Sequence, residues 1–220
     1  MKIAMQSIVT NAYNTGARGL FASILLVLTG CALPSPPARY ATYDFGPGLL
    51  SAPVANRSAP LGPLAVAEIE VNPALDSTAV LYRLAYADAQ KLQPYTLARW
   101  SMTPAQLIRQ RLKEQLAQRR ALLNPGEGGP EGAASPPTLR IELEEFSQLF
   151  EAPGSSVGLL RLRATLVRPS PSGDKLLAQR SVIVQRPATG ADAPGGVRAL
   201  TAAADAAVQA LDEWLAQVAP

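Results

Sequence analysis

Residues 158–168 read Gly-Leu-Leu-Arg-Leu-Arg-Ala-Thr-Leu-Val-Arg. Leu160, Leu162, Ala164 and Leu166 fall on one face and Arg161, Arg163, Thr165 and Val167 on the other, the period of two that a half-buried strand requires. The following Pro169-Ser170-Pro171-Ser172-Gly173-Asp174 is hairpin chemistry, and 176–186, LLAQRSVIVQR, returns as the partner strand. Upstream, 139–150, LRIELEEFSQLF, alternates through Leu139, Ile141 and Leu143 and then shifts phase at Phe146, which predicts a bulge. These three stretches read as an antiparallel meander with one apolar face. That face needs a second layer to cover it.

Two helical patterns supply the layer. Thr103 can cap a helix, Pro104 suits its first position, and Gln106 stands where a capping box needs it. Ala105, Ile108, Leu112 and Leu116 then recur at helical spacing, which predicts a helix running to Leu122 or Leu123. Arg109, Lys113 and Arg120 project elsewhere, with Arg111 and Arg119 nearby. The second helix runs from Val197 to about Val218, with Val197, Leu200, Ala204, Ala207 or Val208, Leu211, Leu215 and Val218 as its stripe. Its alanines make a thin side that can approach a sheet closely. Ahead of these helices, 64–71, 80–86 and 95–100 read as three further strands, successive and antiparallel, with Asp76-Ser77 in the first turn. The stretches 51–63 and 124–137, rich in Pro, Gly and Ser, read as loops. The order predicts an α+β fold: an antiparallel sheet with two main helices packed on one face, in a single domain.

The beginning of the chain is of another kind. Residues 1–30 hold Lys2 and Arg18 and no acid, and an apolar run from Gly19 to Leu28 too short to span a bilayer. Leu28-Thr29-Gly30-Cys31 then has the form of a lipobox, whose cysteine thiol accepts diacylglycerol and becomes the mature N-terminus. Ala32 rather than Asp after Cys31 favours the outer membrane in enterobacteria-like sorting. This divides the chain into a lipoprotein signal peptide (1–30), a lipidated Cys31 with a Pro-rich tether (31–39), and a domain (40–220). Eight tether residues at roughly 3.1 Å each reach about 25 Å. Loss of the signal lowers the basic count from 20 to 18 against 17 acids, so the mature chain is nearly neutral.

Composition excludes much chemistry. The 220 residues contain no His, which removes the commonest general base and metal ligand, and any Ser–His–Asp triad. One Cys excludes an internal disulfide and a structural zinc site. With aromatics at 5% and little net charge, the chain does not read as a nucleic-acid binder. Lys91, Lys113 and Lys175 lie in polar surroundings that suit solvated charges rather than catalysis. Glu142, Glu144 and Glu145 read as the solvent face of a sheet, with Arg161 and Arg163 as their cross-strand partners. The glycines of 126–132 lack the context of a phosphate cradle. No catalytic, metal or cofactor site emerges. Tyr82, Tyr86, Tyr95 and Trp100 gather a third of the aromatic residues, and Tyr and Arg favour interfaces. The alternation of 95–100 puts Tyr95, Leu97 and Arg99 on one face and Thr96, Ala98 and Trp100 on the other. Tyr95 and Arg99 are therefore the candidate partner-binding residues.

Taken together, Cys31, the YDFGPG of 43–48, the Tyr82–Leu112 stretch with Tyr82-Arg83 and Arg99-Trp100 before a Thr/Pro-led helix, the hairpin 158–169 and the Ser181–Leu215 stretch resemble the ABC-type transport auxiliary lipoprotein family, its PqiC-like group. The 124–137 segment departs from the family in being expanded. The resemblance implies a non-enzymatic, lipid-anchored accessory of a lipid transport system at the inner leaflet of the outer membrane. It implies docking of a periplasm-spanning MCE-domain protein that works with an ABC transporter, and no cofactor. A monomer and a homo-oligomer both stay open. The rival is a structural lipoprotein of another outer-membrane assembly complex.

Overall fold

The structure, a computed structural model, describes residues 39–48, 61–127 and 135–219. The signal 1–30, Cys31 and most of the tether lie outside the described residues, as do most of the 51–63 loop and the centre of the 124–137 loop. In chain order the described elements begin with β1 (Ala41–Tyr43), β2 (Leu61–Val71), β3 (Ala79–Leu84), the single-turn α1 (Ala85–Asp88) and β4 (Ala89–Trp100). They continue with α2 (Pro104–Leu116), β5 (Arg120–Leu123), β6 (Thr138–Ala152), β7 (Ser155–Arg168), β8 (Lys175–Pro187) and α3 (Ala193–Val218).

The sheet is built around β6. One edge of β6 pairs antiparallel with β7 from Thr138↔Val167 to Ala152↔Ser155, and β7 pairs with β8 in turn. The ladder between β6 and β7 shifts register between Leu143 and Glu145, so the phase slip read from the sequence is a bulge. Leu160, Leu162, Ala164 and Leu166 are all fully buried, as their alternation requires.

The other edge of β6 carries two strands end to end. Val66–Val71 of β2 runs parallel to Leu139–Leu143, and Tyr82–Leu84 of β3 runs parallel to Gln148–Phe150. β3 resumes along the edge that β2 leaves, after an excursion over 72–78 turned by the Leu75 N–H on the Asn72 carbonyl at 2.8 Å. β4 pairs antiparallel with β3, and β1 parallel with β4. The α+β class and the two main helices stand, but the sheet is mixed. The strands expected as an antiparallel succession, β2, β3 and β4, do not form one: only β3 and β4 pair antiparallel, while β2 finds its partners β5 and β6 far away in sequence.

α2 starts as its sequence demands: the Thr103 N–H donates to Gln106 Oε1 at 3.1 Å, closing a capping box. It stops at Leu116, short of the expected end. Arg120–Leu123 instead extends the sheet as β5, parallel to β2, with Leu61↔Arg120 in register. Strand pairing there outweighs the helix preference of Ala and Leu. α3 begins earlier than expected: Asp192 accepts from the Gly195 N–H at 2.7 Å and Pro194 sits in the first turn.

Both helices bury their stripes in one core with the apolar faces of β2, β6 and β7, except that Val218, in the last turn of α3, is exposed. α3 lies on β7 and β8, and α2 packs against α3. The helix–sheet approach is close enough to exclude side chains: a Cβ on Gly158 would lie 2.5 Å from the Ala199 carbonyl carbon, and one on Gly196 would run into the side-chain amide of Gln148. Phe45, Trp100 and Phe146 close the core under β1 and β4, with ring centroids 5.6 to 6.1 Å apart.

Candidate interaction surface

Tyr95 and Arg99 do not share a face. Ala98 and Trp100 of β4 are buried in the core, so Leu97, half-exposed at 51%, and Arg99 point to the sheet face opposite the helices. Between 94 and 99 the pairing with β3 slips, from Leu81↔Pro94 to Ala79↔Arg99, and this irregularity resets the alternation. Tyr95 consequently turns toward the helix side. Its ring packs on Tyr82 with centroids 4.6 Å apart, and its hydroxyl donates to Gln148 Oε1 at 2.8 Å. Gln148 is fully buried and passes the chain on, donating from Nε2 to Ser156 Oγ at 2.8 Å. Burial first, then the neighbouring Tyr82 and Asp192, push the Tyr95 hydroxyl up to about 12. Arg99 is exposed, and its guanidinium lies 4.5 Å from the centroid of the Tyr40 ring. Trp100 is core, and Tyr86 is exposed on α1.

The remaining sequence candidates are placed as follows. Glu144 takes Arg161 at 2.9 Å and Arg163 at 2.6 Å, with Glu142 3.8 Å from Arg163. This is the cross-strand ladder expected for a solvent face. Glu145 departs from it: the bulge sends its carboxylate to Arg83 at 3.0 Å, where both groups are largely buried. Lys91 and Lys175 are exposed and Lys113 is half-exposed. Among the described residues no cluster of three acidic, His or Cys side chains is placed to hold a metal. Gly126 takes a positive φ in a turn, and Gly128, Gly129 and Gly132 lie outside the described residues.

The arginines of α2 act as clamps. Arg109 donates to the Ala67 carbonyl at 3.2 Å and pairs with Glu68 at 3.0 Å. Arg111 donates to the Phe45 carbonyl and lies 3.4 Å from Asp205. Burial raises the Asp205 carboxyl, and the facing Arg111 opposes that shift. Sequence reasoning missed one polar centre. Arg120 and Asp212 are each almost wholly buried, and burial lowers the Arg120 guanidinium while Asp212 opposes the shift. Asp212 accepts from Gln115 at 3.2 Å and lies 3.8 Å from Arg119. A helix predicted through 122 hides this centre, because it puts Arg120 on a solvated face.

Helix α2 also borders the open spaces of the helix layer. A cleft of about 440 Å³ runs between α2 and α3, lined among others by Arg119, Asp205, Gln209 and Asp212. A second of about 460 Å³ lies on its other flank between Glu68, Met102 and Lys113. These are open grooves lined mainly by polar and charged residues, with apolar surface exposed between them, rather than enclosed cavities of the kind that take a small ligand.

A mixed sheet covered on one face by two helices, with open grooves along the helix layer and a patch of Tyr and Arg on the opposite face, defines a small α+β module. The chain belongs to the family of ABC-type transport auxiliary lipoprotein components, whose model matches residues 47–219. Its fold is similar to the crystal structure of protein XCC0632 from Xanthomonas campestris, at 16% identity and TM-score 0.59, covering 84% of this chain and 90% of that one. It is also similar to an uncharacterized protein of known structure at 14% identity and TM-score 0.56, covering 80% of this chain and 99% of that one. Among curated proteins no sequence match is found.

Proposed function

We propose that this protein is a non-enzymatic, lipid-anchored accessory of an ABC transport system that moves lipid, held at the inner leaflet of the outer membrane, where it docks a periplasm-spanning MCE-domain partner. The observation that carries the reading is the family match over 47–219 placed directly downstream of the Leu28–Cys31 lipobox. The absence of His from the chain and the use of its arginines as structural clamps support a role without catalysis. In this reading Cys31 carries the lipid. The helix layer, with its grooves on both flanks of α2, offers the docking face. Tyr95 supports it from beneath through Gln148 rather than touching the partner.

The test is purification of the tagged full chain from its own membranes. Recovery of an MCE-domain protein and its transporter, lost when Lys113→Glu and Gln209→Glu alter the two grooves, supports the proposal. Recovery of a barrel-assembly or envelope-anchoring complex instead overturns it in favour of a structural lipoprotein. Cys31→Ser should release the folded domain from membranes or leave the signal uncleaved. An unacylated, correctly cleaved wild-type N-terminus in the mass spectrum removes the anchor from the reading.

A further inference from the structure

The described domain begins at Arg39, eight residues after Cys31, and goes straight into the sheet. Ala41–Tyr43 pairs with Ala98–Trp100, making β1 the outermost strand of that edge. Eight residues span at most about 29 Å even fully extended. If Cys31 carries acyl chains, the β1–β4 edge is held within that distance of the headgroups.

The edge has a surface to match. Tyr40 is 54% exposed and Leu97 51% exposed, on the sheet face opposite the helices. Arg99 lies against the Tyr40 ring and, among the described residues, has no carboxylate partner. An amphipathic ring, an aliphatic side chain and a cation stacked together suit the bilayer interface, where tyrosine sits at headgroup level and guanidinium meets phosphate. So small a patch would not hold a protein on a membrane by itself. An anchored domain needs far less, because a short tether raises the effective concentration of the second contact to the millimolar range.

We propose that the β1–β4 edge, through Tyr40, Leu97 and Arg99, rests on the lipid surface and sets the orientation of the domain. The inference rests on the lipid-anchor reading above. It turns the helix layer, on the opposite face, away from the bilayer and toward the periplasm. The far edge, β8, is five strand spacings from β1, about 24 Å. Ile183, 64% exposed on the same sheet face, is therefore a matched control.

Cys31 is the only cysteine, so in the acylated chain a nitroxide goes to an introduced thiol alone. Leu97→Cys and Ile183→Cys are labelled in the mature full chain, reconstituted in vesicles of phosphatidylethanolamine and phosphatidylglycerol. Tyr40→Cys is a second probe of the edge should Leu97→Cys fold poorly. Collision with oxygen and with a water-soluble nickel chelate is then compared in vesicles and in detergent. The expected result is a severalfold rise in the oxygen-to-nickel ratio at 97 in vesicles, with no change at 183. No change at either position, in protein that floats with the vesicles, overturns the orientation and leaves the anchor intact. Equal changes at both overturn it too, as do changes at 97 that appear only when a protein partner is added. Protein that does not float removes the anchor and the orientation together.

Discussion

The two edges of β6 are built on different terms. On one, β7 and β8 follow in immediate succession, so each hydrogen-bonded pair is close in sequence and the ladder is continuous except at its bulges. On the other, β2 and β3 arrive from more than 60 residues away, as Val66↔Leu139 and Tyr82↔Gln148 show, and they leave residues 144–147 between them. The interruption has a cost in polarity. Glu145 and Ser147 are buried there, and Gln148 at its margin, whereas Glu142, paired with Glu70 of β2, is exposed. A continuous strand pair sends its charges to water. An interrupted edge traps them: Glu145 meets Arg83 through one oxygen, while among the described residues its other oxygen and the Ser147 hydroxyl find no partner.

The harshest way to test whether the two edges form one cooperative unit is to remove what they share. Phe146 is nearly fully buried, with Phe45 and Trp100 around it. Phe146→Ala should cost about 3–5 kcal/mol. Denaturant unfolding followed by tryptophan fluorescence should show one transition at lower midpoint, since Trp100 and Trp214 report the two regions. Two separated transitions would show that the edges unfold independently.

The continuous edge has its own weak point in the absence of a side chain. Gly158→Ala sets a Cβ against the backbone of α3, which cannot rotate away, and should cost about 3 kcal/mol. Gly154→Ala in the turn before it meets nothing within 4 Å and should be nearly neutral. Thermal melts of the pair separate helix–sheet contact from loss of glycine as such. Equal effects would mean that α3 does not press on β7 as described.

How legible each region was follows from the same difference. β6, β7 and β8 could be read because alternation and turn residues lie side by side in the chain. The Phe146 phase slip and the Glu142/Glu144–Arg161/Arg163 ladder followed from that alone. The pairing of β2 with β6 could not be read, since no local pattern tells a strand which distant partner it will meet. β5 hid inside a helical pattern for the same reason. The site suffered most. Tyr95 and Arg99 were joined by strict alternation, and the slip in β4 put them on opposite faces. The Arg120–Asp212 centre has no signature within either segment.

On the interrupted edge the buried pair Arg83–Glu145 should be worth more than its exposed counterparts. Arg83→Met leaves the Glu145 carboxylate largely buried without its cation and should cost about 2–3 kcal/mol. The double variant with Glu145→Leu should recover much of that loss. A double-mutant cycle in urea measures this, and purely additive losses would show that the two groups do not interact.

Tyr95 gives a smaller effect with a signature in pH. The fold favours its neutral form by raising it from 10.0 to about 12, so the contribution is whole below pH 10 and disappears as pH rises toward 12. Because the side chain is only partly buried, the loss should stay near 1 kcal/mol. Tyr95→Phe should cost about 1–2 kcal/mol at neutral pH by leaving Gln148 Oε1 unpaired, and should flatten the alkaline limb. Absorbance at 295 nm should show one late tyrosine in the wild type and none in the variant.

The smallest effect belongs to the ladder on the continuous edge, where the same chemistry as Arg83–Glu145 is set in water. Arg163 reaches Glu144 at 2.6 Å and Glu142 at 3.8 Å, yet its side chain is 46% exposed and Glu142 is 54% exposed. Solvent screens both contacts, and ordering a long side chain offsets part of the remaining attraction. Arg161 stays beside Glu144 at 2.9 Å when Arg163 is removed, so the carboxylate is not stranded. Arg163→Ala should therefore cost less than about 1 kcal/mol, and the difference from wild type should shrink further as salt is raised. Parallel melts of Arg163→Ala and Arg83→Met at low and high salt make the comparison direct. The buried pair should keep most of its effect while the exposed one fades. If instead both fade together, the interrupted edge admits water and its polar groups are solvated rather than trapped.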